Sequence, residues 1–179
     1  MTRYVSMLRG INVSGKNRIL MVDLAGLYAS LGFTAVTTYI QSGNVVFEAA
    51  DKAAPDVRSI EKGIEDKFGF EVPVIIRSKS EFQNAVLGNP FSGQSGADPA
   101  HLYVTFLDSK PDKEKLNQFG PVGPGKDQYS LVGTEVYLNC PGGYGKTRLT
   151  NTYLEKQLGV CATTRNWKTV NVLLGLVQR

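Results

Sequence analysis

The amino-acid sequence predicts an α+β protein built from two consecutive ferredoxin-like βαββαβ units with antiparallel sheets, plus a C-terminal helix. Two observations lead to this prediction. The order strand, helix, strand, strand, helix, strand occurs once in each half of the chain, and this order is typical of the ferredoxin-like split βαβ pattern. A segment rich in Gly, Pro and Ser at residues 88–100 separates the two halves, as a linker or surface loop does.

The helices of the first half follow from apolar side chains at helical spacing. Residues 21–31 form one such helix, and a glycine follows it, as is common at a helix C-terminus. Residues 55–68 form the second helix, with Pro55 near its first turn. The predicted strands are rich in β-branched and aromatic residues, and they cover residues 3–8, 36–41, 44–49 and 72–77. The short connection around Ser42 and Gly43 makes the middle two strands a hairpin.

The second half repeats this order of elements, but it does not repeat the residue identities. Its predicted strands cover residues 101–107, 127–133, 135–140 and 160–165. Its predicted helices cover residues 111–119, 147–158 and 166–177. We therefore expect one unit at residues 1–79, a connecting helix and linker at residues 80–100, and a second unit with its closing helix at residues 101–179.

The composition is that of a soluble globular protein, with 42% hydrophobic and 20% charged residues. No apolar run approaches the roughly 18 residues that a membrane helix needs, and the first residues do not resemble a signal peptide. We therefore expect a cytoplasmic protein without a membrane partner. Cys140 and Cys161 belong to no C-x-x-C pair, and His101 is the only histidine. The sequence thus predicts neither a metal site nor a Ser-His-Asp triad.

Residues 140–147, CPGGYGKT, look like a phosphate-binding loop, G-x-x-x-x-G-K-[ST]. Cys140 stands where that motif has its first glycine, and a side chain disfavours conformations that glycine adopts freely. Asp108 looks like a magnesium-holding acid, but it ends the first strand of the second unit, at the opposite end of the sheet from this loop. The sequence therefore argues against a nucleoside triphosphatase. Two interpretations remain: a glycine-rich helix start that binds an anion, or a tight turn with a solvated lysine.

Polar residues collect at one end of each predicted sheet. In the first unit, strand one runs into GINVSGKNR at residues 10–18, and the hairpin turn follows strand two. Strands one and two of such a sheet run in the same direction, so both segments lie at the same end. The ligand-binding residues expected there are Arg9, Asn12, Lys16, Ser42 and Asn44. The same reasoning for the second unit gives Gly143, Gly145, Lys146, Arg165 and Asn166.

These residue types bind phosphate or carboxylate groups well, and the net charge of +4 is compatible with anionic ligands. If the two polar ends face each other, they form one cleft. Asn166 is also placed to cap the closing helix. The sequence favours a core or interface role for Trp167 over base stacking.

Four stretches of the sequence, LRGINVSGKNR, TYIQSGNVVF, YLNCPGGYGKTRL and ATTRNWKTV, resemble the bacterial family known as domain of unknown function 1697. The resemblance covers almost the whole chain. The family typically has LRGINVGG, so Ser14 replaces a glycine here. The resemblance implies an α+β fold with ferredoxin-like parts, and it implies no particular activity or cofactor.

The main hypothesis is a cytoplasmic protein that binds a small anionic ligand, a nucleotide or a phosphorylated metabolite, in a cleft between the two units. Nucleic-acid binding is one alternative, because RNA-recognition modules share the βαββαβ order. Strand three, however, offers only Phe47 and Tyr137 for base stacking. A protein-interaction scaffold is the other alternative. The sequence shows no convincing general base, and it assigns no catalytic residue, cofactor or oligomeric state.

Overall fold

The computed structural model describes residues 1–50, 54–120 and 126–179. Within these residues the strands are β1 (Thr2–Leu8), β2 (Thr34–Tyr39), β3 (Asn44–Ala49), β4 (Val74–Ser78), β5 (Leu102–Leu107), β6 (Gln128–Val132), β7 (Glu135–Asn139) and β8 (Ala162–Asn166). The α-helices are α1 (Met21–Ser30), α2 (Val57–Phe68), α3 (Lys79–Leu87), α4 (Lys113–Gln118), α5 (Asn151–Leu158) and α6 (Trp167–Gln178). Single 3₁₀ turns occur at Pro99–His101 and Tyr144–Lys146. None of the helices in the described part of the chain is long and apolar enough to cross a bilayer.

The strands form two four-stranded sheets with the same topology. The strand order is β2-β3-β1-β4 in the first sheet and β6-β7-β5-β8 in the second. All neighbouring strands are antiparallel. The first strand of each unit thus lies between the third and the fourth, as the ferredoxin-like pattern requires. The predicted fold class of two such units with a C-terminal helix is confirmed.

The chain divides into two compact units. Unit 1 comprises Met1–Asn84 and Leu173–Arg179, and unit 2 comprises Ala85–Val172. The last turns of α6 therefore belong to unit 1, whereas the sequence assigns the whole closing helix to the second unit. The predicted limits of the units and of the linker stay a prediction.

The core of unit 1 lies between its sheet and the helices α1 and α2. Side chains alternate between the faces of a strand, so Val45 and Phe47 reach this core together with Ile60 and Ile64 of α2. Each such buried side chain contributes about 1.5–3 kcal/mol. Tyr28 is fully buried here, and its hydroxyl lies 2.6 Å from the hydroxyl of Ser6 on β1. Burial raises the pKa of Tyr28 well above 10, although the bond to Ser6 lowers it in part.

The core of unit 2 is built in the same way on one face of its own sheet. Leu107, Val136 and Leu138 of the sheet pack with Leu154 and Leu158 of α5. The other helix on this face, α4, is shorter and contributes no fully buried residue. The core of unit 2 therefore depends on α5 more than the core of unit 1 depends on either of its helices.

The two units also share side-chain contacts that the order of elements does not reveal. The backbone N–H that opens β4, at Val74, donates to the carboxylate of Glu61 on α2 at 2.9 Å. The N–H that opens β8, at Ala162, donates to Glu155 on α5 at 3.1 Å. The fourth residue of each of these strands is a buried arginine, described below. The repeat thus extends to particular residues, contrary to the expectation from the sequence that it lies only in the order of elements.

Two helix starts differ from the prediction. Helix α2 begins at Val57, because the side chain of Asp56 caps it by accepting the Arg58 N–H at 3.1 Å. Helix α5 begins at Asn151 and not at residue 147, because Thr150 caps it by accepting the Tyr153 N–H at 3.2 Å. The second difference changes the interpretation of the glycine-rich segment that precedes α5.

Candidate anion-binding site

The candidate site of unit 1 forms where β1 ends. The N–H of Leu8 donates to the Gly43 carbonyl at 2.8 Å, and the N–H of Arg9 donates to the Pro73 carbonyl at 2.9 Å. These bonds fix the start of residues 9–18, which we call the cationic loop, between the hairpin turn and the start of β4. The structure thus brings together the two segments that the sequence places at one end of the sheet.

The cationic loop is itself a small hairpin. Val13 and Lys16 form an antiparallel bridge, and the Lys16 N–H donates to the Val13 carbonyl at 3.0 Å. The two residues between them, Ser14 and Gly15, have φ angles of 50° and 76°. Positive φ at both central positions defines a type I′ turn, which strongly favours Asn-Gly or Gly-Gly. Ser14 therefore occupies a left-handed position that suits glycine, the residue that the resembling family has there.

Asn12 fastens the cationic loop to the hairpin turn. Its Nδ2 donates to the carbonyls of Ile19 and Gln41, both at 2.9 Å. Its Oδ1 accepts the N–H of Ile19, also at 2.9 Å. The donors and the acceptor of the side-chain amide are thus engaged within the protein. Asn12 positions the loop, and its side chain has no donor left over for a ligand.

Asn44 and Ser42 have a similar structural role in the hairpin turn. Asn44 is fully buried, and its Nδ2 donates to the Tyr39 carbonyl at 3.0 Å and to the Ser42 Oγ at 3.1 Å. The same turn contains Ile40 with a φ of 50°, a conformation that is costly for a β-branched residue. The amide of Asn44 holds the turn in this conformation.

The cations of the loop differ in exposure. Arg9 is half-buried, whereas Lys16 and Arg18 are exposed. No ion pair within the described residues involves Lys16 or Arg18. Of the five residues predicted for this end, Asn12, Ser42 and Asn44 build the scaffold, and Arg9 and Lys16 supply charge. Arg18 is an additional exposed cation that the list of predicted site residues omits.

The glycine-rich segment at residues 140–147 does not enter a helix directly. Gly143, with a φ of 82°, leads into the single 3₁₀ turn Tyr144–Lys146, and the backbone is then extended at Thr147. The N–H groups of Gly143, Lys146 and Thr147 donate to carbonyls within the segment at 2.9–3.3 Å. The interpretation as a helix start with free N–H groups is therefore wrong. The alternative interpretation, a tight turn with a solvated lysine, matches the structure.

The turn is anchored to the sheet by Tyr144. Its hydroxyl donates to the Thr164 Oγ1 at 3.2 Å, and its ring lies 5.1 Å from that of Tyr103. The Thr164 hydroxyl donates to the Asn151 Oδ1 at 2.6 Å and lies 2.7 Å from the Thr105 hydroxyl. One hydroxyl thus joins two strands, the turn and the start of α5. The expected proximity of this segment to residues 164–167 is observed.

Arg165 and Asn166 serve the structure of unit 2. Arg165 is 6% exposed, and its Nη1 donates to the Thr163 Oγ1 at 2.8 Å and to the Thr164 carbonyl at 2.9 Å. Burial lowers the pKa of its guanidinium to about 10. Asn166 caps α6 by accepting the Thr169 N–H at 2.8 Å, as the sequence predicts. The equivalent of Arg165 in unit 1 is Arg77, which is also buried and donates to the carbonyl of the preceding residue at 3.0 Å.

Lys146 is the accessible cation among the residues predicted for unit 2, and Arg148 lies beside it with its side chain also exposed. The chemistry next to this turn is less uniformly positive than at the cationic loop. Burial raises the pKa of the Cys140 thiol, and the charge of Asp127 raises it further, while a hydrogen bond from the Thr147 hydroxyl opposes both. An acid therefore lies near this turn. Unit 1 is the better anion site of the two.

Asp108 lies at the opposite end of the sheet from the glycine-rich turn, as the sequence predicts. Its backbone N–H donates to the Cys161 carbonyl at 3.0 Å, and its Oδ1 accepts the Cys161 N–H at 3.0 Å, at the start of β8. Cys140 instead pairs with His101 at the start of β5. No three His, Cys, Asp or Glu residues in the described ranges are arranged to hold a metal ion. The phosphate-loop mechanism thus has no geometric support.

The aromatic residues on which RNA recognition would depend are not accessible. Phe47 is fully buried, and Tyr137 is 2% exposed, with its hydroxyl donating to the Ala85 carbonyl at 2.8 Å. A base cannot stack on either ring. The mode of binding used by RNA-recognition modules therefore has no platform on strand three of either unit.

Charge is distributed unevenly along the chain. Residues 1–47 contain four basic residues and one acidic residue, a net charge of +3, and residues 136–179 contain six and one, a net charge of +5. Residues 48–135 contain ten basic and fourteen acidic residues, a net charge of −4. Both candidate sites fall in the basic segments. A count of acidic residues along the sequence would have found this signal, which the total of +4 conceals.

Comparisons with known proteins agree with the fold. The family model described as "Protein of unknown function (DUF1697)" matches residues 1–137. The solved structure of the conserved bacterial protein SP0830 from Streptococcus pneumoniae is similar with a TM-score of 0.73 and 22% identity, over 98% of each chain. The sequence matched none of the curated proteins with which it was compared. The family match confirms the resemblance seen in the motifs, and the chain belongs to the DUF1697 family.

Proposed function

We propose that the protein binds a small anionic ligand, a nucleotide or a phosphorylated metabolite, through the cations of the cationic loop. The observation that carries this proposal is the segregation of charge. Asp23 is the only acid in the first 47 residues, and the loop itself has three cations and no acid. Clustered charge of one sign raises the local concentration of ions of the opposite sign. A cytoplasmic location, where such metabolites occur, is part of the proposal.

The geometry of the loop favours binding because the loop is held in one shape before a ligand arrives. The type I′ turn fixes Lys16, and the three hydrogen bonds of Asn12 fix the loop against the hairpin turn. A preorganised loop loses little conformational entropy on binding. Lys16 and Arg18 project from this scaffold, and Arg supplies bidentate contacts that phosphate and carboxylate groups accept.

In unit 2, Lys146 and Arg148 give a second, weaker anion site on the glycine-rich turn. Gly143 and Gly145 shape that turn, because a Cβ at either position would meet no atom within 4 Å and the backbone is open to solvent there. Arg165 and Asn166 support it from within the unit. That the two sites share one cleft stays a prediction.

Thermal-shift measurements with nucleotides, sugar phosphates and inorganic phosphate test the proposal. We expect at least one anion to raise the melting temperature of the wild-type protein. Arg9→Ala and Lys16→Ala should each reduce the shift, and Lys146→Ala should reduce it less. Lys62→Ala is the matched control, because Lys62 pairs with Asp66 at 3.1 Å on the exposed side of α2. If no anion stabilises the protein, or if Lys62→Ala has the same effect as Lys16→Ala, the proposal fails.

A further inference from the structure

Large hydrophobic side chains are exposed around the cationic loop. Seven such side chains are exposed in the described residues, and four of them, Val13, Leu20, Val22 and Ile40, belong to this end of unit 1. Scattered exposed hydrophobic residues need no explanation, but a group at one place marks an interaction surface. We call these four residues the apolar tip.

Hydrogen bonds of Asn12 hold the apolar tip together. Val13 follows Asn12 directly, and Leu20 and Ile40 are sequence neighbours of Ile19 and Gln41, whose carbonyls accept from the Asn12 amide. Val22 follows two residues later, in the first turn of α1. The exposed cations Lys16 and Arg18 lie in the same segment. Aliphatic and cationic side chains are thus interleaved on one surface.

We propose that this surface docks the protein onto an anionic lipid bilayer. The side chains protrude: Val22 is 75% exposed, Leu20 62% and Val13 59%. A side chain lining a groove for a peptide would be covered by the groove walls, whereas a protruding one can enter the boundary between headgroups and acyl chains. The cations complement the negative surface of such a membrane, and residues 1–22 contain no acid that would oppose it.

This contact needs no spanning segment, so it is compatible with the absence of a membrane helix from the described residues. It corrects the expectation from the sequence that no membrane partner exists, because that expectation considered only spanning helices. The inference goes beyond the small-ligand proposal and does not rest on it. Docking requires the apolar tip, which a nucleotide does not need.

Co-sedimentation of the full chain with vesicles tests the inference. We expect binding to vesicles of phosphatidylglycerol and phosphatidylcholine and much weaker binding to pure phosphatidylcholine. Leu20→Ser with Val22→Ser should lower the partition coefficient at least about 10-fold, since each methylene withdrawn from water accounts for about fourfold. Leu87→Ser with Val132→Ser is the matched control, because these residues are 75% and 52% exposed elsewhere. The control should bind as the wild type does.

The cations are tested in the same assay. Lys16→Glu with Arg18→Glu should lower the partition coefficient by at least about 25-fold, because each cation near an anionic surface accounts for about fivefold. Lys110→Glu with Lys113→Glu, two exposed cations of unit 2, should bind nearly as the wild type does. All four double variants change exposed residues, and an unchanged melting temperature confirms that each one folds.

A tryptophan at the tip gives an independent reading. Leu20→Trp should show a blue-shifted emission on anionic vesicles, and Leu87→Trp should not, with Trp167 as a constant background in both. No vesicle binding, or binding that the apolar-tip variant retains in full, would overturn the inference. Binding of soluble polyglutamate in preference to vesicles would also overturn it. Nucleotide stabilisation that survives Leu20→Ser with Val22→Ser, together with a loss of vesicle binding, would separate this inference from the small-ligand proposal.

Discussion

Gly43 is the residue on which the candidate site of unit 1 depends most closely. It has a φ of 77° in the hairpin turn. A Cβ placed on it would lie 2.7 Å from the Ile11 Cδ1 and 2.8 Å from the Leu8 Cβ. Both are closer than real Cβ contacts allow, and Leu8 is part of the strand itself. Gly43→Ala should therefore separate the hairpin turn from the start of the cationic loop.

The cost of Gly43→Ala has two parts. The left-handed conformation costs about 1–2 kcal/mol for a residue with a Cβ, offset by about 0.4–1 kcal/mol of lost freedom in the unfolded chain. The forced overlap adds about 1–3 kcal/mol. We therefore expect a loss of about 2–4 kcal/mol in the free energy of unfolding.

Two other glycines separate these contributions. Gly10 has a φ of 72° with no atom within 4 Å of a built Cβ, so Gly10→Ala should lose only about 1 kcal/mol. Gly26 lies inside α1, where the nearest atom is 3.9 Å away, so Gly26→Ala should gain up to about 1 kcal/mol. Urea unfolding followed by circular dichroism measures all three. If Gly43→Ala costs no more than Gly10→Ala, the close packing of the turn against the loop is not real.

Three further predictions concern other parts of the molecule. Ser14→Gly should stabilise the protein by about 0.5–1 kcal/mol in urea unfolding, because it relieves a left-handed position; a loss of stability would contradict the type I′ turn. Thr164→Val should cost about 2–3 kcal/mol in the same assay, because it leaves several buried groups without a partner, whereas Tyr144→Phe should cost about 1 kcal/mol; equal costs would exclude the threonine as the centre of the network. Burial raises the pKa of Tyr137 to about 12, so the folded state holds this proton when the unfolded state has released it, and stability should fall between pH 10 and 12. Tyr137→Phe should make that fall shallower, and an unchanged slope would show that the buried bond to Ala85 is absent.

Much of the fold could be predicted from the sequence because its signals are local. The hairpin around Gly43 follows from two β-rich runs with a short turn, and the predicted bounds of β3 match the structure. The cap at Asn166 follows from its position before an apolar helical run. The start of α5 could not be predicted in the same way. The glycines, Lys146 and Thr147 resemble a helix entry, but the extended backbone at Thr147 and the cap at Thr150 delay the helix to Asn151.

The site was harder to predict than the fold, because residue type does not say where a hydrogen bond goes. Asn12, Asn44 and Arg165 look like ligand contacts in the sequence. In the structure, the amides of the two asparagines bond to backbone groups of their own unit, and Arg165 is buried beneath the surface. Exposure depends on which face of a strand a residue occupies, and it depends on long-range packing. The sequence therefore located the ends of the sheets correctly but could not separate the scaffold residues from the accessible cations.

Binding of an anion at the cationic loop is the central claim, and NMR tests it directly. The backbone amides of ¹⁵N-labelled protein are followed while pyrophosphate is added at constant ionic strength. We predict saturable shifts concentrated in residues 9–18, with smaller shifts in residues 143–148, and the loss of the former in Lys16→Ala. Shifts that do not saturate, or that occur equally around the Lys62–Asp66 pair of α2, would contradict the claim.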